Sequence, residues 1–192
     1  GSNMHNLDII KNAKFFNNKI LFYEIEKPGK GNAVKFGLKN SSHDNIVIFD
    51  ADFSYDYNLI LKFFENLVPK SAFCYANRNS TKGIFQNTKI SRLIAGNIFN
   101  KLIRIYLGIN ARDTQAGFKL INKNTFTNSF EFISENYMYD VELFLLAKKL
   151  KITPVPIEIN EIKTPSTSNV KLFRDSLVML FSLRKIKKQY FN

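Results

Sequence analysis

Short apolar runs alternate with longer stretches of helical periodicity along this chain, and the alternation predicts an α/β domain. The predicted strands cover 20–25, 45–49, 71–76, 117–121 and 152–159. The predicted helices cover 31–39, 58–67, 89–107, 139–150 and 170–188, with a loop at 164–169. We therefore expect a mostly parallel sheet flanked by helices.

Three of these elements carry further expectations about packing. The run 45–49 should be the most buried strand because 46–49 are apolar on both faces, and two prolines suit 152–159 to a sheet edge. The helix 89–107 should be the longest. Its predicted core stripe is Ile90, Ile94, Ile98, Leu102 and Ile105, and the opposite stripe is Arg92, Gly96, Asn100 and Arg104.

Composition narrows the chemistry. The 192 residues suit one domain, and 28 basic against 16 acidic residues give a net charge of +12. Such a charge favours polyanionic partners: nucleic acid, anionic lipid surfaces or phosphorylated substrates. No apolar stretch approaches the length of roughly 20 residues that spans a bilayer, and we expect no signal peptide.

Cysteine and histidine are scarce. One cysteine, Cys74, excludes an internal disulfide, fits a reducing compartment and should be buried in the core. Two histidines cannot assemble a zinc site of the Cys/His type. A divalent metal would therefore be held by carboxylates, which points to Mg²⁺ or Mn²⁺.

Asp50 and Asp52 flank one small residue where the apolar run 45–49 stops. In open α/β sheets ligands bind outside the carboxyl ends of strands, so both acids are expected at the active face. Two such acids can share a metal ion and the oxygens of a diphosphate. The alternative is a solvated turn, and the pair alone leaves both interpretations open.

Basic residues follow or precede the other predicted strands. Lys30 lies between two glycines in Gly-Lys-Gly-Asn-Ala (29–33), at a helix start that favours an anion, although a plain turn is the alternative. Arg78 follows the strand 71–76, and Arg92 lies on the polar stripe of the long helix. Guanidinium groups suit phosphate oxygens, but a solvated face explains either arginine alone.

Two polar clusters remain. The loop Asp-Thr-Gln-Ala-Gly-Phe-Lys (113–119) is dense in polar residues but names no reaction by itself. Asp140 and Glu142 lie about 200° apart around one helix, so both should not face one site, and at least one of them is expected to be structural.

Four blocks, taken in order, resemble the family 2 glycosyltransferases of the GT-A fold, in particular the dolichyl- or polyprenyl-phosphate sugar transferases. They are Gly-Lys-Gly-Asn-Ala (29–33), Phe-Asp-Ala-Asp (49–52), Asp-Thr-Gln-Ala-Gly-Phe-Lys (113–119) and Tyr-Asp-Val-Glu-Leu (139–143). The third is the most specific and is more similar to dolichyl-phosphate glucosyltransferases than to mannosyltransferases. The resemblance extends from about Leu7 to the C-terminus.

The resemblance implies inverting transfer of a sugar from a nucleotide-diphosphate donor, first of all UDP-glucose, to a lipid phosphate or other glycan acceptor. Asp50 and Asp52 would hold the metal and the donor diphosphate. Lys30, Arg78 and Glu142 would bind the donor or its phosphates. Asp113, Gln115 and Arg92 would serve the reacting end. A phosphate monoester is already ionised near neutral pH, so such an acceptor needs orientation more than a general base.

The C-terminal helix and the N-terminus carry their own expectations. Leu177, Leu180, Phe181 and Leu183, with Arg184, Lys185, Lys187 and Lys188, form an amphipathic basic helix. This helix would rest on an anionic membrane or pack on the sheet with a solvated basic end. From the resemblance we expect that this sequence lacks the family's first strand–helix–strand unit, which normally cradles the donor base and ribose. Gly96 stands where members of this branch often carry hydrophilic acceptor contacts. We expect a vector remnant at 1–4, a truncated GT-A domain at 5–163, and the loop with its basic helix at 164–192.

Three functions remain in competition. The first is a cytoplasmic enzyme, peripheral at the membrane, that makes a polyprenyl-phosphate sugar. The second is a catalytically incompetent fragment that forms a homodimer through an exposed sheet edge. The third, nucleic-acid binding, is disfavoured because the aromatic residues lie in core stripes and are not interleaved with lysine and arginine.

Overall fold

Strands and helices alternate in the computed structural model, which describes residues 21–50, 58–65, 72–78, 90–126, 133–159 and 172–191. The helices are α1 (Lys30–Asn40), α2 (Asn58–Glu65), α3 (Ile90–Leu107), α4 (Tyr139–Lys149) and α5 (Leu172–Phe191). The strands are β1 (Asn45–Ile48), β2 (Phe73–Arg78), β3 (Lys119–Asn122) and β4 (Val155–Ile159). The predicted loop at 164–169 and the predicted domain boundary after residue 163 lie outside the described residues.

The four described strands form one mixed sheet in the order β1-β3-β2-β4. β3 runs antiparallel to both β1 and β2, and β4 runs parallel to β2. Three strands therefore share one direction and β3 opposes them. The predicted α/β class is confirmed, and the proline-bearing strand β4 lies at one end of this sheet as expected.

Alternate residues of the sheet enter two separate cores. Phe73 and Tyr75 of β2 join the larger core, which also contains residues of α1, α3, α4 and α5. Cys74 and Ala76, on the other face, pack with Phe63 of α2. Cys74 is fully buried, as the sequence predicted. This period of two is what a strand covered on both faces requires.

Helix α4 brings charge into the larger core. Every residue from Tyr139 to Ala147 is buried, so the helix is covered on all sides. Its first turn carries Asp140 and Glu142 and its last turn carries Lys148 and Lys149, which complements the helix dipole. The first turn of α4 consequently contains two buried carboxylates, Asp140 and Glu142.

Two strand predictions need correction. The predicted strand 20–25 is not formed over the described part, 21–25, where Leu21 and Tyr23 are exposed and no described strand is paired with them. β1, expected to be the most buried strand, is only partly buried, and Phe49 after it is 45% exposed. Its apolar pattern is typical of a central strand, but among the described strands β1 has a neighbour, β3, on one side alone.

The predicted core stripe of α3 is wrong where it is described. Ile98, Leu102 and Ile105 are exposed, whereas Ile103 and Leu107 are buried. Both faces of this helix contain apolar residues, so periodicity gives the spacing of a face but not which face meets the core. The side chains of Ile90 and Ile94 lie outside the described residues.

Helix α5 packs against other helices. Its contacts are with α3 and α4, and Leu183 and Ile186 are buried there. Arg184, Lys185 and Lys188 are exposed, as expected for a solvated basic end. With 20 residues, α5 exceeds the 18 of α3, which was predicted to be the longest helix. Among the described helices, none combines the length and apolarity needed to cross a membrane.

Candidate active site

A solvent-accessible ion pair lies where β1 ends and α1 begins. Asp50 follows β1 by two residues and Lys30 is the first residue of α1. The Nζ atom of Lys30 lies 2.5 Å from Oδ1 of Asp50, and the two side chains are 27% and 33% exposed. The sequence placed both residues at a donor site separately, and the structure brings them into contact.

The ammonium group of Lys30 is surrounded by further groups from α4 and the loop before it. The rings of Tyr137 and Tyr139 lie 5.8 Å and 5.6 Å from its Nζ atom. Burial lowers the pKa of Lys30, but the carboxylates of Asp140 and Asp50 raise it by more, so the net pKa lies above the ordinary value of 10.5. Lys30 is therefore held in its charged form at neutral pH.

A second ion pair lies deeper in the same region. The Nζ atom of Lys119, at the start of β3, lies 2.6 Å from Oδ1 of Asp140, and both side chains are buried. Lys119 also donates a hydrogen bond to the carbonyl oxygen of Ala116 at 2.5 Å. A buried charge survives only when it is paired and hydrogen-bonded, and this pair meets that condition.

The two pairs form one group of alternating charge, which we call the site network: Asp50, Lys30, Asp140 and Lys119. Each of the four resembling sequence blocks contributes one of its members. The network is formally neutral, because two lysines face two aspartates. A polyanion would bind to a neutral network only together with a cation, or by drawing Lys30 away from Asp50.

Gly117 sets the position of Asp50. A Cβ atom built on Gly117 would lie 2.1 Å from Oδ2 of Asp50, so the carboxylate packs directly on the glycine backbone. Phe118 also stacks on Phe49, with ring centroids 6.4 Å apart. Because Gly117 has no side chain, the Asp50 carboxylate fits against the backbone of the loop 113–119 and is held there.

The glycines on either side of Lys30 also serve close packing, but against protein. Gly29 has a φ of 130°, and a Cβ on it would lie 2.2 Å from the carbonyl oxygen of Glu135. A Cβ on Gly31 would lie 2.1 Å from the carbonyl oxygen of Ser134, and the Gly31 amide donates to Glu135 at 2.9 Å. The backbone at 29–31 therefore makes a close approach to the loop 133–137.

Glu142 of α4 is hydrogen-bonded to the same loop, 133–137. Its carboxylate is fully buried and accepts hydrogen bonds from the amides of Ile133 at 2.9 Å and Ser134 at 2.6 Å. The hydroxyl of Tyr190 on α5 also bonds to it. Of the two acids on α4, Asp140 thus faces Lys30 while Glu142 faces the loop. Donor binding by Glu142 stays a prediction.

Arg78 and Asp113 form a bidentate pair at the end of β2. The Nε and Nη2 atoms of Arg78 donate to the two carboxylate oxygens of Asp113 at 2.6 Å and 2.7 Å. The Arg78 amide adds a third hydrogen bond at 3.2 Å. Asp113 is buried and the Arg78 side chain is 35% exposed, so the Arg78 guanidinium is held in a fixed orientation by Asp113.

The middle of the loop 113–119 faces helix α3. The hydroxyl of Thr114 donates to the side-chain oxygen of Asn100 at 3.3 Å, and Gln115 beside it is partly buried. Asp52 and the side chain of Arg92 lie outside the described residues, so the metal role of Asp52 and the catalytic role of Arg92 stay predictions. Within the described ranges, no three carboxylate, histidine or cysteine side chains are close enough to hold a metal ion together.

The family model for glycosyl transferase family 2 matches residues 1–130, which is more than half of the chain. The chain belongs to this family. The dolichyl-phosphate beta-glucosyltransferase of Drosophila melanogaster is 30% identical over 165 residues, which are 79% of this chain and 51% of that protein. This glycosyl transferase family 2 chain therefore spans about half the length of the relative it matches.

Solved structures support the same fold. Mannosyl-3-phosphoglycerate synthase from Rubrobacter xylanophilus superposes with a TM-score of 0.62 at 17% identity, over 84% of this chain and 51% of that one. Glucosyl-3-phosphoglycerate synthase from Mycobacterium tuberculosis, solved with Mn²⁺, UDP-glucose and phosphoglyceric acid, gives 0.57 at 16% identity, over 88% and 57%. At these identities the likeness concerns the fold, which agrees with the predicted GT-A class.

The sequence reasoning missed Lys119 and gave Asp140 no role. Both signals are present in the sequence: Lys119 stands in the predicted strand 117–121, and Asp140 stands in the first turn of the predicted helix 139–150. A charged residue in a segment that must be buried requires a partner of opposite sign. Pairing Lys119 with an acid of that turn, Asp140 or Glu142, connects the third block with the fourth.

Proposed function

We propose that this chain carries the donor-phosphate part of an inverting glycosyltransferase site that moves glucose from UDP-glucose to a lipid phosphate. The single observation that carries the proposal is the site network, in which one residue from each sequence block meets at the end of β1. The Drosophila relative is named a dolichyl-phosphate beta-glucosyltransferase, and this name supports the choice of glucose and of a dolichyl-phosphate acceptor. The donor nucleotide follows from the UDP-glucose bound to the Mycobacterium tuberculosis enzyme.

The carboxylate of Asp50 is a suitable ligand for a divalent cation. Asp50 offers a carboxylate that is one-third exposed and held in place by Gly117, and hard oxygen ligands suit Mg²⁺ or Mn²⁺. We propose Asp50 and Asp52 as the ligands. When bound, the cation would neutralise the diphosphate and stabilise the charge that develops on the leaving nucleotide. Lys30 would move its ammonium from Asp50 toward a diphosphate oxygen.

The remaining polar groups suit phosphate recognition at a second position. Asp113 fixes two nitrogen donors of Arg78, so that the guanidinium keeps a constant orientation. We assign Arg78 to a phosphate of the donor or acceptor, and Gln115 to the sugar. The lipid phosphate is already ionised near neutral pH, so orientation and charge screening are the main demands on the protein. We place this work at the cytoplasmic face of a membrane, where a chain of charge +12 meets anionic lipid.

The test is transfer of radiolabelled glucose from UDP-glucose to a polyprenyl phosphate in detergent with Mn²⁺. We expect label in the organic phase with the wild-type chain and its loss with Asp50→Asn. The exposed Glu65→Gln variant serves as the control and should keep activity. Retention of full activity by Asp50→Asn would refute the assignment.

The competing proposal is a catalytically incompetent fragment that self-associates. It is favoured by the position of β1 at one end of the described sheet, with β3 as its described neighbour. This interpretation predicts no labelled lipid, together with a dimer in sedimentation velocity. A monomer that transfers glucose would exclude it.

A further inference from the structure

Helix α3 presents an apolar stripe to solvent. Ile98, Leu102 and Ile105 are 56%, 45% and 72% exposed. At about 100° per residue these three positions fall within about 60° of one another on the helix. The buried residues Ile103 and Leu107 lie on the opposite side. We call the three exposed residues the α3 stripe.

Cations border the α3 stripe on both sides. Lys101 is exposed on one side. On the other, the ammonium of Lys187 from α5 lies 4.1 Å from the centroid of the Tyr106 ring. A shallow surface depression beside Ile105 is lined in part by Lys101 and Arg104. Aliphatic side chains flanked by lysine and arginine are the pattern of a helix lying in a lipid interface.

We propose that the α3 stripe docks on an anionic lipid surface, with its aliphatic side chains among the acyl chains and the bordering cations at the headgroup phosphates. Transfer of the exposed aliphatic side chains out of water makes the free energy of binding more favourable, and so does the attraction of each bordering cation to the negative surface potential. Neither gain depends on the donor site, so the surface stands independently of the proposed enzymatic activity.

Charge favours lipid over a second copy of the chain as the occupant. Two copies meeting through the α3 stripe would bring Lys101 and Lys187 of each close to those of the other. Each copy also carries a net charge of +12. Like charges oppose such a contact, whereas the same charges assist contact with anionic lipid.

The opposite side of α3 reaches the candidate active site. Asn100 accepts the hydrogen bond of Thr114 in the loop 113–119 at 3.3 Å. One helix thus touches that loop on one side and presents the α3 stripe on another. A chain docked in this way would keep the loop 113–119 one helix away from the lipid that carries the acceptor phosphate.

The test is co-sedimentation of the full chain with vesicles of phosphatidylcholine, alone or with about one-third phosphatidylglycerol. We expect the wild-type chain to bind the anionic vesicles, and to bind them less as the salt concentration rises. The triple variant Ile98→Gln, Leu102→Gln, Ile105→Gln should lose at least about tenfold in partition coefficient while its melting temperature stays close to wild type, because all three side chains are exposed.

Leu61→Gln is the matched control. Leu61 is 64% exposed on α2, which packs on the other face of the sheet, and its replacement should leave vesicle binding unchanged. Lys101→Glu should also weaken binding, by at least about tenfold, because it removes a cation from the lipid surface and adds an anion there. Equal binding to neutral vesicles, no binding to anionic ones, or an unaffected triple variant would overturn the proposal. A dimer that the triple variant converts to monomers, with lipid binding unchanged, would assign the stripe to a second copy.

Discussion

The carboxylate of Asp50 lies where a side chain of residue 117 would be, since a Cβ on Gly117 would be 2.1 Å from Oδ2. Gly117 belongs to the loop 113–119, more than sixty residues away along the chain. No positive φ accompanies Gly117, so the need for glycine is steric. The proposed metal ligand is therefore positioned by the block that resembles the family most specifically.

Gly117→Ala should displace Asp50 while leaving the fold intact. The added methyl group overlaps a side-chain carboxylate that can turn toward solvent, and the backbone conformation accepts alanine. We expect at least about a tenfold loss of Mn²⁺-dependent donor affinity, which corresponds to about 1.4 kcal/mol. Isothermal titration calorimetry measures this loss, and circular dichroism checks the fold.

Gly37→Ala is the matched control. Gly37 lies in α1, and a Cβ there would meet nothing within 4 Å. We expect this change to raise the free energy of unfolding by about 0.4–1 kcal/mol and to leave donor affinity unchanged. Equal donor affinity in Gly117→Ala and Gly37→Ala would contradict the steric role of Gly117.

Breaking the buried pair of Lys119 and Asp140 should be strongly destabilising. Lys119→Met leaves Asp140 buried without its partner, which costs about 3–5 kcal/mol in the free energy of unfolding. The double variant Lys119→Met, Asp140→Leu removes both charges and should recover most of that loss. Urea unfolding of Lys119→Met, of Asp140→Leu and of the double variant measures the coupling free energy between the two residues. Additive losses would show that the two residues do not form a coupled pair.

Glu142→Gln should affect the loop 133–137 more than donor binding. An amide group in place of one oxygen would meet an amide donor of Ile133 or Ser134, at a cost of about 1–3 kcal/mol. The control is Glu135→Gln in the same loop, whose exposed pair with Lys27 is worth at most about 1 kcal/mol. Loss of donor affinity without loss of stability would instead support the predicted donor contact of Glu142.

Alkaline pH should destabilise the fold through Lys30 and Tyr190. Burial, followed by the charge and hydrogen bond of Glu142, raises the pKa of Tyr190 above its ordinary value of 10.0, and the pKa of Lys30 is also raised. Where the folded pKa exceeds the unfolded one, the folded protein holds more protons, so stability falls as pH rises above about 10. Tyr190→Phe should flatten this fall in urea unfolding between pH about 9 and about 12. An identical pH profile in wild type and variant would show that Tyr190 does not contribute.

The α/β class and the described elements other than 21–25 were predictable because helices and buried strands have different apolar periods. The spacing of apolar residues could not predict the order of the strands in the sheet, nor which face of α3 packs against the core. β1 has the apolar run of a central strand, yet its burial depends on which strands lie beside it. Ile98, Leu102 and Ile105 have the spacing of a core stripe, yet the core is on the side of Ile103.

The candidate site was predictable in its members more than in their contacts. Lys30 and Asp50 could be selected from the sequence because Lys30 lies at the start of a predicted helix and Asp50 follows the end of a predicted strand. The contact between them, and the role of Gly117, depend on long-range packing that no local pattern encodes. Lys119 and Asp140 needed one more step, the requirement that two buried charges of opposite sign be paired.

The central claim is that the site network binds a nucleotide-sugar diphosphate together with a divalent cation at Asp50. Calorimetric titration of UDP-glucose into the full chain, with Mn²⁺ and with a chelator, tests it most directly. We predict binding with Mn²⁺ that falls at least about tenfold in the chelator and in Asp50→Asn. Metal-independent binding of equal strength in wild type and Asp50→Asn, or no binding at all, would contradict the account.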